Sequence, residues 1–171
     1  MTKMESNFNI SDVDEIKVRL EKLINKQTER KLLYFAGPWF TKKSNLIYEV
    51  CHRLVNMYND FSKYTVFFPK DHTAESPLET FNNNINAIRS CDELIALVDE
   101  KDTGTAFEIG YARALNKKIT LLGYDDTTFL SKTNIMLAFT GDCITLENFS
   151  KFLLGLRYNT IKIIDNWEGK E

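Results

Sequence analysis

Glu108 lies in the run Asp99–Leu115, D-E-K-D-T-G-T-A-F-E-I-G-Y-A-R-A-L, and Asp102 stands six residues before it. The apolar run Leu94–Val98 comes first and reads as a buried strand. Residues 99–104, with two Asp, a Thr and a Gly, have the composition of a turn. From Thr105 the pattern is helical, with Thr105 as candidate N-cap and Ala106, Ile109, Gly110, Ala114 and Leu115 on or near one face. Glu108 then falls in the first helical turn. Two readings are open. Glu108 complements the helix dipole, worth about 0.3–1 kcal/mol. Alternatively, it is an ionised nucleophile or base at the carboxyl edge of a parallel sheet, where open α/β folds place their ligands.

Composition narrows the class of function. The chain has 171 residues, enough for one domain that buries about two-thirds of its unfolded surface. Hydrophobic residues make up 43% and charged residues 27%, as in globular proteins generally. A net charge of −2 gives no general attraction to nucleic acid or to an anionic membrane. No apolar run approaches the roughly 20 residues that span a bilayer. The start, M-T-K-M-E-S-N, carries no apolar leader core, so a cytoplasmic protein is expected. Cys51, Cys91 and Cys143 are far apart and odd in number, which reads as reduced, buried thiols. His52 and His72 have no metal-ligand spacing, so no structural metal is expected.

The elements that position the carboxylates alternate along the chain. An amphipathic helix from Ser11, with Val13, Ile16, Leu20, Leu23 and Ile24 as its stripe, forms an N-terminal extension over 1–30. Residues 31–171 read as a single domain. Leu32–Ala36 is the first strand and ends in Gly37-Pro38, followed by Trp39 and Phe40. Those two rings are either core or the wall of a pocket for a flat ligand. A helix over Lys42–Tyr58 follows, with Leu46, Ile47, Val50, Leu54 and Met57 on its buried face. Tyr64–Phe68 is the second strand, stopped by Pro69, with a polar loop over 70–78 on the same edge. The next helix, Glu79–Arg89, turns Phe81, Ile85 and Ile88 inward and carries Asn82–Asn84 and Asn86. Asparagine is a poor helix former, so the cluster either reflects composition or faces a ligand. Lys118–Leu122 is a fourth strand, Asn134–Leu137 starts a short helix, and Asp142–Leu146 is a fifth strand. Glu147–Leu156 is the last helix, before an extended T-I-K-I-I tail.

This alternation predicts a doubly wound, flavodoxin-like α/β domain with a five-stranded parallel sheet in the order 2-1-3-4-5 and helices on both faces. The ends of strands 1 and 3 then meet at the switch point. Tyr34, Gly37, Trp39 and Phe40 face Asp102 and Glu108 across one crevice. No G-x-G-x-x-G follows strand 1, and no G-x-x-x-x-G-K-S/T occurs, which disfavours dinucleotide and triphosphate binding.

Four segments together resemble the nucleoside 2'-deoxyribosyltransferases. They are Y-F-A-G-P-W-F at 34–40, N-N-N-I-N-A-I at 82–88, the D-x-G-x-A-F-E-I-G-Y-x-R-A pattern from Asp102 to Ala114 with one extra residue before the glycine, and Asn134-Ile135-Met136. F-F-P-K-D at 67–71 also fits the family's loop after strand 2. The resemblance covers roughly 31–145 and implies a mechanism without metal or organic cofactor. Glu108 matches the nucleophile that takes up a deoxyribosyl group while one nucleobase leaves and another enters. Tyr34 matches the residue that orients it, and Asp102 an acidic residue near the reacting centre. Asn134 and Met136 match residues that a neighbouring subunit brings to the sugar, which implies a homo-oligomer. Trp39 and Phe40 would sandwich the base, with Gly37, Asp71 and Asn84 also at the substrate.

One departure stands out. The family carries Asp where this chain has Asn84, and an amide has no transferable proton. Leaving-group protonation then falls to Asp102 or solvent, with Asp71 and His72 as other candidates. Two further functions stay open. One is an N-glycosidase acting on deoxynucleoside 5'-monophosphates, with Lys42, Lys43 and Lys132 as phosphate ligands. The other is a non-catalytic nucleoside-binding module.

Overall fold

The computed structural model describes residues 30–126 and 134–161. The expected N-terminal helix, Lys132 and the end of the tail lie outside the described residues. Five strands form one sheet: β1 (Lys31–Ala36), β2 (Tyr64–Phe67), β3 (Glu93–Leu97), β4 (Lys118–Gly123) and β5 (Asp142–Thr145). Their order is β2-β1-β3-β4-β5 and every neighbouring pair is parallel, as expected. Between them run α1 (Lys42–Met57), α2 (Pro77–Ser90), α3 (Thr103–Ala114) and α4 (Ile135–Ala138), with α5 (Phe149–Leu153) after β5. No helix among the described residues is long and apolar enough to cross a membrane.

Both faces of the sheet are covered, so its central strands are apolar without alternation. Alternate residues of β1 and β3 go to opposite cores. Tyr34, Ala36, Leu94 and Ala96 join Ile88 of α2 and Ile109 and Ala112 of α3. Leu33, Phe35, Ile95 and Leu97 join Ile47 and Cys51 of α1 and Phe149 and Phe152 around α5. Tyr34 therefore points to the side on which α3 lies. The three cysteines are free and buried.

The helices bury narrower stripes than their hydrophobic spacing suggests. In α1 the buried residues are Ser44, Ile47, Tyr48 and Cys51. Leu46, Val50 and Met57, expected inside, are exposed. A capping box between Thr41 and Ser44 fixes the start of α1 and sets this rotation. In α2, Ile85 and Ile88 are buried as expected, whereas Phe81 is exposed and pairs with Phe107 of α3 at 6.2 Å. In α3 the inward residues are Thr105, Ile109 and Ala112, while Gly110, Ala114 and Leu115 face out. The last helix is shorter than expected, with a 3₁₀ turn over Leu146–Asn148 before α5. Of the tail, Ile161 makes an antiparallel bridge to Cys143.

The amino edge of the sheet is held by a polar cluster. Glu93, only 2% exposed, accepts from the Tyr64 hydroxyl at 2.7 Å and from Lys118 Nζ and Thr120 Oγ1, each at 3.0 Å. One carboxylate thus joins β2, β3 and β4. Replacing Glu93 by Ala strands a buried tyrosine hydroxyl and a threonine hydroxyl and is expected to cost about 3 kcal/mol. Urea denaturation checks this; a loss under about 1 kcal/mol would mean the cluster is not a structural clamp.

Candidate active site

Everything expected to do chemistry lies at the opposite, carboxyl edge. β3 leads through Val98 into a loop in which Lys101 adopts a positive φ of 49°. That left-handed residue turns the chain sharply before α3. Glu100 Oε1 accepts from Thr41 Oγ1 at 2.6 Å, tying this loop to the start of α1. The N-cap of α3 is Asp102, not Thr105 as expected. Asp102 Oδ2 accepts from Thr105 N at 2.6 Å and from Thr105 Oγ1 at 2.9 Å. The helix is therefore capped three residues earlier than its apolar pattern suggests. Glu108 falls in the second turn, past the free N–H groups of the helix end, and the dipole acts mainly on Asp102.

Tyr34 and Glu108 meet where β1 packs against α3. The Tyr34 hydroxyl donates to Glu108 Oε1 at 2.5 Å. Tyr34 is fully buried, and its ring stacks on Phe67 with centroids 5.6 Å apart. Phe67 in turn stacks on His72 at 4.1 Å. Burial pushes the Glu108 carboxyl up to about 7; the Tyr34 hydrogen bond opposes this, and the nearby Asp102 charge adds to it. Burial and the adjacent Glu108 push the Tyr34 hydroxyl up as well, so it stays protonated and donates.

Glu108 opens into a cavity of about 330 Å³. Gly37, Trp39, Phe40, Asn84 and Asp102 also line it, so five sequence candidates share one space with Glu108. Tyr34 reaches that space through its bond to Glu108. Trp39 and Phe40 do not form two facing plates. Trp39 packs edge-on against Tyr48 at 4.8 Å and tilted against Phe35 at 5.4 Å, while Phe40 is 86% exposed at the rim. Gly37 makes room for this indole: a Cβ there would lie 2.8 Å from its Cη2. Two buried polar atoms on the lining residues, Trp39 Nε1 and Asn84 Oδ1, have no hydrogen-bond partner among the described residues. Such groups normally find one.

Other candidates lie elsewhere. Asp71 faces α1, where it accepts from the Tyr48 hydroxyl and lies 3.3 Å from His52 Nε2. His72, Asn83 and Asn86 border a separate, shallower cavity. Neither Asp71 nor His72 lines the Glu108 cavity, which removes both as stand-ins for the missing acid. Lys43 sits over the Tyr124 ring at 5.3 Å, and neither it nor Lys42 lines that cavity. Asn134 caps α4, accepting from Met136 N at 2.8 Å. With Met136 it borders a second cavity, of about 580 Å³, on the other side of Asp102. They do not line the Glu108 cavity of their own chain.

Sequence reasoning passed over Lys70, Thr73 and Thr80, which line the Glu108 cavity. The signal for Lys70 was its place directly after Pro69 at the carboxyl end of β2.

A sequence model described as nucleoside 2-deoxyribosyltransferase matches residues 33–163. The chain belongs to this family. A nucleoside deoxyribosyltransferase of Lactobacillus leichmannii is 25% identical over 114 residues, covering 57% of this chain and 73% of that protein. A 2-deoxyribosyltransferase structure from Leishmania mexicana superposes with a TM-score of 0.57 at 26% identity, covering 75% of this chain and 99% of that one. The fold recurs in a 2-deoxyribosyltransferase from Bacillus psychrosaccharolyticus, with a TM-score of 0.59 at 20% identity over 75% of this chain and 92% of the other. It recurs also in a CMP N-glycosidase from Clostridium botulinum, with a TM-score of 0.51 at 20% identity over 73% and 97%. Family membership points to a glycosyl-transferring enzyme that acts on nucleosides.

The raised Glu108 carboxyl has a consequence for stability. Folded Glu108 binds its proton more tightly than the unfolded chain does, so it lowers stability as pH rises from 4.5 to about 7. Glu108→Gln, always neutral, should be the more stable protein by up to about 3 kcal/mol at about pH 8, and no more stable at about pH 4. Urea denaturation at both pH values checks the sign; a variant less stable at pH 8 would contradict the site's electrostatics.

Proposed function

We propose that the protein transfers a 2'-deoxyribosyl group between nucleobases through a glycosyl ester on Glu108. The observation that carries this reading is the buried Glu108 carboxylate, held by Tyr34 at the head of a cavity that a second carboxylate, Asp102, also lines. The Tyr34 bond occupies Oε1 and leaves Oε2 to attack the anomeric carbon. Bond making and breaking pass through an oxocarbenium-like state, which a close anion stabilises. Asp102, fixed as the helix cap, is placed to accept a sugar hydroxyl. The acceptor base then attacks the anomeric carbon, breaks its C–O bond to Glu108 and restores the Glu108 carboxylate. Water taking that place gives net hydrolysis by the same route. The cavity lining has two carboxylates and one lysine, a poor setting for a phosphate dianion. An unphosphorylated deoxynucleoside is therefore the preferred substrate, with a free nucleobase as co-substrate.

In this reading a second copy of the chain completes the site. Asn134 and Met136 are exposed, Met136 by 77%, and face away from their own Glu108 cavity. That suits residues that serve a neighbour.

Incubating the protein with a deoxynucleoside panel and free bases should give base exchange that Glu108→Ala abolishes. Tyr34→Phe should lower kcat roughly ten- to a hundredfold by releasing the carboxylate. A slow 2-fluoro donor should leave a sugar-sized mass increment on the peptide that bears Glu108. Product formation without that adduct would end the covalent reading. Mixing inactive Glu108→Ala with a crippled Asn134→Ala/Met136→Ala chain tests sharing of the site: activity should return on mixing, and its failure to do so would make the site self-contained.

A further inference from the structure

The proposed reaction leaves one charge unaccounted for. Attack by a carboxylate on a neutral nucleoside forms the C–O ester bond and breaks the C–N glycosidic bond, whose electron pair goes to the base. The negative charge moves from Glu108 to the departing base. The base must take up a proton or meet a cation.

The cavity offers little acid. The Asn84 amide has no transferable proton. Tyr34 is held protonated by burial and by Glu108. Asp102 Oδ2 is already occupied by two hydrogen bonds, from Thr105 N and Thr105 Oγ1. Among the residues lining the cavity, the cation is Lys70. Its position is built. Lys70 Nζ donates to Asn45 Oδ1 at 2.8 Å and lies 4.5 Å from the centre of the Tyr48 ring, both on α1. The next residue, Asp71, straps the same turn to α1 through Tyr48 and His52. These contacts hold the ammonium beside α1, and Lys70 lines the cavity there.

We propose that Lys70 receives the departing base as an anion, in place of an acid that would protonate it. This rests on the glycosyl-transfer reading of the same site. It names a substrate class: bases with an acidic ring N–H next to a carbonyl, which exist readily as anions. Amino bases that leave only after ring protonation are disfavoured. The return step uses the same charge. The incoming base gives its N–H proton to solvent, attacks the anomeric carbon as an anion beside Lys70, and breaks the C–O bond that frees the Glu108 carboxylate. The outgoing base takes a proton from solvent as it leaves. Asp71 is then a positioning residue that acts through the turn carrying Lys70.

The test compares wild type, Lys70→Met and Lys70→Arg on 2'-deoxyuridines whose 5-substituent is fluoro, hydrogen or methyl. Lys70→Met should lower kcat/KM for 2'-deoxyuridine roughly 10- to 100-fold, and less for the fluorinated donor, whose base is the better anion. The dependence of rate on base acidity becomes steeper, and Lys70→Arg restores most of the loss. An equal loss on all three donors, or none, would overturn the proposal. So would wild-type use of deoxyadenosine or deoxycytidine on a par with deoxyuridine. Calorimetry with free 5-fluorouracil and Glu108→Gln separates this from the parent reading, since it needs no turnover. Binding should tighten as pH rises through the ionisation of 5-fluorouracil, and Lys70→Met should remove that tightening. Binding that ignores the ligand's charge refutes the role of Lys70 even in an active transferase. Charge-dependent binding with no exchange or cleavage refutes the transfer reading alone.

Discussion

A carboxylate kept from water with a single hydroxyl to hold it is the constraint around which this molecule is arranged. Burying Glu108 costs free energy, which the Tyr34 hydrogen bond offsets only in part. The bond also requires β1 to lie beside β3, so that a residue of β1 can reach the helix that follows β3. The β2-β1-β3 order is thus a condition for the site as well as a description of the fold. Packing secures the donor, because Tyr34 is wholly buried and stacked on Phe67.

Two glutamates stand near opposite edges of the sheet, Glu93 buried on β3 and Glu108 half-buried on α3, and the contrast between them explains why those edges differ in character. Glu93 has three donors, from Tyr64, Lys118 and Thr120, and joins three strands. Glu108 has one donor, a second carboxylate nearby and a cavity in front of it. A carboxylate with its lone pairs occupied is a clamp. One with an oxygen left over has a lone pair free for the attack proposed above. The residue type is the same, and the number of partners decides the role.

The fold was legible because alternation of apolar strands and helices leaves few topologies, and every strand and every helix after residue 41 lies close to its expected place. Helix rotation was not. Leu46, Val50, Met57 and Phe81 fit a buried stripe by spacing, yet Thr41 and Ser44 set the phase of α1, and Phe81 finds Phe107 across the outer surface. The site was legible where residues come from strand ends, as Tyr34 and Gly37 do. It was less so where a side chain chooses between neighbours. Asp71 and Lys70 both reach α1, Asp71 at Tyr48 and His52 and Lys70 at Asn45 and the Tyr48 ring, yet Lys70 alone of the two lines the cavity, and no spacing rule states which of two adjacent loop residues does so.

The three-residue difference in where α3 is capped has the largest chemical effect. With Thr105 as cap, Glu108 would have sat in the first turn, where the helix end favours an anion and holds the carboxyl down. With Asp102 as cap, that stabilisation passes to Asp102, and Glu108 is left to burial and to repulsion from its neighbour. One helix thus carries two carboxylates in opposed environments. The first is tied by a backbone N–H and a hydroxyl and serves as a fixed acceptor. The second is under-solvated, with its carboxyl near 7, so that it is ionised in part of the molecules at neutral pH and poorly stabilised when it is. Such an anion gains most when a positive centre forms beside it. That is the property required for attack on a carbon passing through an oxocarbenium-like state.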